Sequence, residues 1–327
     1  MARLRGAARP LAHLAVALAI FGLVIWRANP WQLGDEYSDF KLWPAAGAVL
    51  LNVPVLLLMT LRGRLILGRL RHDIPFLELL PISTLGNVAG SLTPAAAGEL
   101  LRTPFFKERH EIPYADGFAA VLYERGLSVV VLAASTGAAA AWMTLDVGLA
   151  VAVTAGAALL ALSAPALAAL VLSRLRLGDT AAADGERVAL LGRLRRTLGR
   201  PLAPLLVLLR DPPGTAVIGL TNLLVFAVMA LQFWLVVEAL GLDINGAEAW
   251  TAMGASFLAA IFTLLPLGLG SMDATIAGII GSTQHGFHAG AAAAVLLRAT
   301  ATLPLGIAAL ASYIYLVSAR RRRAAGS

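Results

Sequence analysis

The chain has no cysteine, which excludes disulfides, zinc-thiolate sites and thiol nucleophiles. It is also poor in charge: 14% of its 327 residues are Asp, Glu, Lys or Arg, against about 25% in soluble domains. The five histidines are scattered without metal-ligand spacing, and no GxxxxGK[ST] loop offers a cradle for nucleotide phosphates. What the chain has instead is apolar residues, 59% of the total, with a mean hydropathy of +0.79. Apolar runs recur along nearly its whole length, so a single polytopic membrane domain is expected where length alone would allow two soluble ones. The formal charge of +7 would fit nucleic acid if the basic residues shared one soluble face. They stand instead at the ends of apolar runs, where anionic lipid surfaces meet them. No nucleic acid, metal or cofactor is expected.

A bilayer core of about 30 Å takes roughly 20 apolar residues in helix. Six segments approach that length: about 10–27, 43–61, 117–143, 148–173, 213–239 and 289–318. The first follows Arg3, Arg5 and Arg9 but lacks an A-x-A-like cleavage site, and is read as a retained helix. Two more apolar segments, 74–112 and 247–286, are interrupted by Pro and Gly and then followed by a carboxylate. If both turn back as re-entrant hairpins, the first from the cytoplasmic side and the second from the outer side, 22 of the 26 Lys and Arg fall inside. Only Arg27 and Lys41 then lie outside, with Arg125 and Arg298 within spans. Full crossings would leave 11 inside against 13 outside, contrary to the positive-inside rule. The expected fold is all-α: six spanning helices and two opposed re-entrant hairpins in an inverted repeat, both termini cytoplasmic, in the cell membrane. The repeats cover about 74–173 and 247–318. Between them, 174–212 is a cytoplasmic loop in which Arg193, Arg195, Arg196 and Arg200 alternate with Leu190, Leu191, Leu194 and Leu198; this is either an interfacial helix or a solvated connector with snorkelling arginines. Arg62 to Arg71 allows the same two readings.

The interrupted segments share an order of parts. The first reads SLTPAAAGELLR from Ser91, the second LLPLGLGSMDAT from Leu264; Glu99 precedes Arg125 by 26 residues and Asp273 precedes Arg298 by 25. Two copies of helix, break, acid and span with a buried Arg, in opposite orientations, are what an inverted-topology transporter repeat looks like. At the breaks, Thr93 before Pro94 has the form of an N-cap followed by Pro at the first helical position, and Ser271 after Gly270 is placed to cap the next helix. Each half-helix would turn the positive end of its dipole inward, which favours a phosphate. Irregular backbone at membrane depth is tolerated only inside protein or beside a watery cavity, so a cavity between the repeats is expected.

Arg125 and Arg298 are the costly residues, since an Arg at mid-span is worth roughly +2.5 to +3.5 kcal/mol on insertion scales. Two readings stay open. In one, Arg125 pairs with Glu99 or Glu124, and Arg298 with Asp273, stitching the repeats together. In the other, these groups line a polar path and meet a charged headgroup. Asn87, Ser91 and Gln232 either face such a path or bond between helices, Tyr123 is read as packing, and His285 and His288 as surface residues.

The same residues resemble a known family, the flippase-like transmembrane domain of lysylphosphatidylglycerol synthetases and its stand-alone relatives. The resemblance rests on Pro94, Gly98, Glu99 and Arg102; on Glu124 and Arg125; on Pro266, Gly268, Gly270 and Asp273; and on Arg298, and it covers about 75–318. It implies a transporter that moves a polar lipid between leaflets. Ala96 and Met272 stand where relatives often carry Arg, and Asp273 is shorter than the usual Glu, so a different lipid is implied. No aminoacyl-transferase domain is expected after Arg323. The resulting expectation is a lipid flippase-like protein with Arg125, Arg298, Glu99, Asp273, Arg102 and Glu124 at the substrate and breaks at Thr93, Pro94, Gly98, Pro266, Gly268, Gly270 and Ser271. Its partners would be membrane lipids, and a lipid-modifying enzyme or a second copy would also fit. A membrane-embedded enzyme using Glu99, Glu124 or Asp273 as acid or base, and a non-transporting partner of such an enzyme, are the competing readings.

Overall fold

A computed structural model describes residues 40–177, 202–282 and 286–325. The expected span at 10–27 and the Arg/Leu stretch at 190–200 lie outside these residues. Among the described residues there is helix and connector but no strand. Five helical stretches are long and apolar enough to cross a bilayer: Leu42–Arg69, Tyr114–Thr144, Val147–Leu172, Pro212–Ala239 and Gly286–Ala319. Each contains one of the segments expected at 43–61, 117–143, 148–173, 213–239 and 289–318, or coincides with it to within a residue, and most run longer. At 1.5 Å per residue a 31-residue helix such as Tyr114–Thr144 is about 46 Å long, more than the apolar core requires.

The elements in order are α1 (Leu42–Leu50), α2 (Asn52–Arg69), α3 (Phe76–Leu92), a 3-10 segment (Pro94–Leu101), α4 (Arg102–His110), α5 (Tyr114–Thr144), α6 (Val147–Leu177), α7 (202–209), α8 (Pro212–Ala239), α9 (Gly246–Thr263), a 3-10 turn (Pro266–Gly268), α10 (Ser271–Gly281), α11 (Gly286–Leu297), a π-helical stretch (Arg298–Thr302) and α12 (Leu303–Ala325). Local chemistry explains several boundaries. Asp211 caps α8 by accepting from Gly214 N at 3.0 Å, with Pro212 next in the chain. Asn245 and Glu248 form a reciprocal capping box at the start of α9, at 2.9 and 2.8 Å.

The Arg62 to Arg71 stretch is neither interfacial helix nor connector. It prolongs α2 to Arg69, burying Ile66 and Leu67 in the core shared with α3, α4 and α5. Arg69 pairs with Asp211, tying the end of α2 to the start of α8. A second core joins α1, α8, α9, α10 and α11 through Ala48, Phe233, Ala252, Ile280 and Ala293.

Both interrupted segments reverse direction over short distances. The 3-10 segment folds back on the last turns of α3, and Gly98 approaches so closely that a Cβ there would collide with the carbonyl of Ala89. In the second segment α10 has 11 residues, about 17 Å of helix. It packs on α11, where Gly290 meets the Ala277 backbone with room for no side chain, a Cβ falling 2.7 Å from Ala277 Cα. Small residues here allow close helix approach, as expected for the run Ala291 to Ala294. The turn Pro266–Gly268 lies against α3, and α9 packs along α5, so each broken segment touches the other half of the chain.

Pro304 lacks an N–H, so the carbonyl four residues earlier, Thr300, lacks the usual α-helical donor. Asn52 supplies one: its Nδ2 donates to Thr300 O at 2.7 Å and to Val49 O at 2.8 Å. The bend between α1 and α2 is thereby fastened to the π-helical stretch that begins at Arg298.

Candidate functional site

At the first break, Glu99, Arg102 and Glu124 are almost wholly buried. Arg102 donates through Nη2 to Glu99 at 3.1 Å and through Nη1 to Glu124 at 3.0 Å. Glu124 receives Arg62 on its other oxygen, and Glu99 receives Arg125 on its other oxygen. The result is a ladder in the order Arg62, Glu124, Arg102, Glu99, Arg125. Arg62 is further bonded to Asn222 Oδ1, which also accepts from Ser128 Oγ at 3.0 Å. Four of the five side chains are no more than 7% exposed, whereas that of Arg125 is 40% exposed.

Two glycines make room for this. Gly86 and Gly90 stand four residues apart on one face of α3, and a Cβ at either would enter the side chain of Arg102 or of Glu99. Spacing of this kind usually marks helix-to-helix contact; here it forms a trough for an ion pair.

The second break is built differently. Arg298 donates through Nε and Nη2 to the two oxygens of Asp273, both at 3.0 Å, through Nη1 to Leu267 O at 2.7 Å, and through Nη2 to Gly268 O at 3.3 Å. Asp273 also accepts from Gly270 N at 2.8 Å. Around this knot Leu264, Leu267, Gly268 and Gly270 all take positive φ, from 55° to 81°. For the two leucines that conformation costs about 1–2 kcal/mol each, so Arg298 holds a strained turn by its carbonyls.

Every site residue expected from sequence is thereby placed. Glu99, Arg102, Glu124 and Arg125 come together at the first break, Asp273 and Arg298 at the second. Arg125 pairs with Glu99 and not with Glu124, which goes to Arg62 and Arg102. Thr93 is the N-cap residue with Pro94 next in the helix, as expected, but its Oγ1 accepts from Gly98 N at 2.6 Å and makes no first-turn cap. The capping role of Ser271 requires correction. Gly270 is the cap residue at the second break because only its backbone turns easily to φ 81°, which puts Ser271 inside the helix, bonded with Thr263 Oγ1 at 3.0 Å. The amide of Gly270 is already met by Asp273, a built-in anion. Beside Ser83, Arg102 and Glu124 there is a space of about 10 Å³, room for about one water; it lies wholly within the first half of the chain and is not the cavity expected between the repeats.

Sequence reading missed Arg62, Ser128 and Asn222. Arg62 sits among Arg64, Arg69 and Arg71 and looks like one more span-end cation. Its signal lay in spacing, since Arg62 together with Ile66 and Arg69 makes one helical face, two of whose members are buried. Gln232 and Tyr123 bond between helices, Gln232 Nε2 to Ala48 O and Tyr123 to Thr215 Oγ1, each at 2.7 Å. Ser91 bonds to its own helix at Val88 O, and Asn87 Nδ2 is buried without a partner. His285 lies outside the described residues. Among the described residues, no group of His, Asp and Glu is arranged to hold a metal.

Residues 11–309 match the family model described as lysylphosphatidylglycerol synthase TM region. The chain belongs to that family. No curated protein matches it. The family match begins well before the residues that carry the resemblance, and it takes in Arg62 together with both breaks. A multi-pass membrane protein is what the family and the apolar helices jointly establish.

Proposed function

We propose that this protein is a flippase-like lipid transporter that moves a polar lipid, anionic or phosphate-bearing, from one leaflet to the other. The observation that carries the reading is Arg125: a guanidinium on a spanning helix, 40% exposed, at the end of an otherwise buried ladder of charge. A purely structural arginine at this depth would be satisfied on all sides, as Arg298 nearly is. The family takes its name from lysylphosphatidylglycerol synthase, which supports a lipid as the cargo. In this reading both broken segments enter and leave the bilayer on one side, the first from the cytoplasm and the second from outside. The fold-back at Gly98 and the 11-residue length of α10 support it.

The headgroup meets Arg125, and Glu99 exchanges its partner as the headgroup arrives. Arg102 bridges Glu99 and Glu124 in the absence of lipid. Arg298 and Asp273 hold the second break rigid, so that the two halves move as bodies while the acyl chains stay in the bilayer. The narrowness of the space at Arg102 belongs to a closed state, which lipid binding would open. In liposomes holding the purified protein, Arg125→Ala should reduce lipid relocation about tenfold or more, as expected for losing one charge-assisted contact. Relocation at the unchanged rate would remove Arg125 from the path. Production of a chemically altered lipid by the purified chain would favour the enzyme reading instead.

A further inference from the structure

The ladder at the first break has an odd number of charges. Its signs alternate along Arg62, Glu124, Arg102, Glu99 and Arg125, and both ends are positive. Three guanidiniums thus face two carboxylates, and among the described residues no further carboxylate pairs with any of them. At the second break the count is even, one Arg298 to one Asp273. Among the described residues one positive charge is left over at the first break, and burying it without a counter-ion is unfavourable.

Where that charge is met follows from exposure. Arg62 and Arg102 are closed in by Glu124, Glu99 and Asn222, with 7% and 2% of their side chains exposed. Only Arg125 is open to an incoming group, at 40%. Its surroundings are apolar: Leu122 and Phe118, three and seven residues earlier on the same helical stripe, are 48% and 36% exposed. Beside it Gly126 faces open space, with nothing within 4 Å of where a Cβ would stand. An anion reaching Arg125 therefore has room for an apolar body against α5.

We propose that the Arg125 end of the ladder takes a lipid headgroup of one net negative charge, such as a phosphodiester whose alcohol is uncharged. It is preferred over a zwitterionic headgroup, which leaves the excess charge unmet. It is also preferred over a phosphomonoester, whose charge of about −1.5 to −2 overshoots it. This rests on the proposed meeting of Arg125 with the headgroup and adds the headgroup's charge.

The test uses the full-length chain purified into nanodiscs containing phosphatidylcholine, phosphatidylglycerol and phosphatidic acid in equal amounts, with retained lipid counted by native mass spectrometry. Phosphatidylglycerol should be retained about tenfold over phosphatidylcholine, the worth of one charge-assisted contact, and ahead of phosphatidic acid. Glu99→Gln raises the excess to two and should reverse the order of phosphatidylglycerol and phosphatidic acid. Should that variant not fold, Glu124→Gln makes the same change of charge elsewhere in the ladder; should neither fold, the order in the unaltered chain decides. Equal retention of the three lipids, phosphatidic acid leading in the unaltered chain, or a folded variant with an unchanged order would overturn the proposal. So would displacement of the lipid by an equal concentration of dimethyl phosphate, which has the charge without the chains. Arg125-dependent relocation without charge selectivity would sink this proposal and leave the transport reading standing; selective retention without relocation would do the opposite.

Discussion

Arg62 is the residue whose surroundings define it most completely. Its guanidinium bonds to Glu124 on α5 and to Asn222 on α8, joining three helices at one buried point. Arg62→Met would keep much of the stem's packing but strip one oxygen of a buried carboxylate of its partner. Breaking a buried pair in this way costs about 3–5 kcal/mol. We expect a markedly lower unfolding temperature in detergent for Arg62→Met, while Arg64→Met, whose side chain is 43% exposed beside an 88% exposed Asp73, should melt within about 0.5 kcal/mol of the parent. Equal melting of the two would mean that the ladder contributes no stability. The contrast between neighbours two positions apart comes from helix geometry alone, since they point to different sides of α2.

At the scale of elements, the first break is a folded-back pair with no space between its members. Gly98 stands against the Ala89 carbonyl of α3, and its N–H is received by Thr93 Oγ1. A methyl group at this position meets backbone, which yields less than a side chain would. Gly98→Ala should destabilise the protein by about 1–3 kcal/mol, the usual range for overpacking, seen as a lower melting temperature or faster proteolysis. Gly278→Ala, on α10 with nothing within 4 Å of its Cβ position, is the control and should be neutral or slightly stabilising by helix propensity. The second break uses another device. There the strained turn is held by side chain to backbone bonds from Arg298, and that residue begins a π-helical stretch whose Thr300 carbonyl is met by Asn52. The two interrupted segments share an order of parts, yet one break is held by close backbone approach and the other by an arginine.

For the whole molecule, the absence of cysteine makes orientation directly measurable, because any introduced thiol is the only one. With both termini cytoplasmic, Asp146→Cys in the turn after α5 should react in intact cells with a maleimide that cannot cross membranes, and Lys107→Cys on α4 should not; both positions are exposed. The reverse pattern would invert the orientation drawn from the charge count. That count treated Arg62 and Arg102 as inner flanking charges, and both are buried, so the asymmetry rests on the other basic residues. Membrane class, five of the spans and the positions of the two breaks were legible in the sequence, because apolar length and Pro/Gly interruption act locally along the chain. That Arg125 would find a carboxylate, Glu99 or Glu124, and that Arg298 would find Asp273 was legible too, since a charge at that depth demands a partner and few were at hand. Which carboxylate went to which arginine was not, nor was the recruitment of Arg62, Ser128 and Asn222 from three different helices. Those depend on helix rotation and on a trough made by Gly86 and Gly90, and only the packed tertiary structure, by deciding which faces meet, leaves Arg125 as the one open end of the ladder.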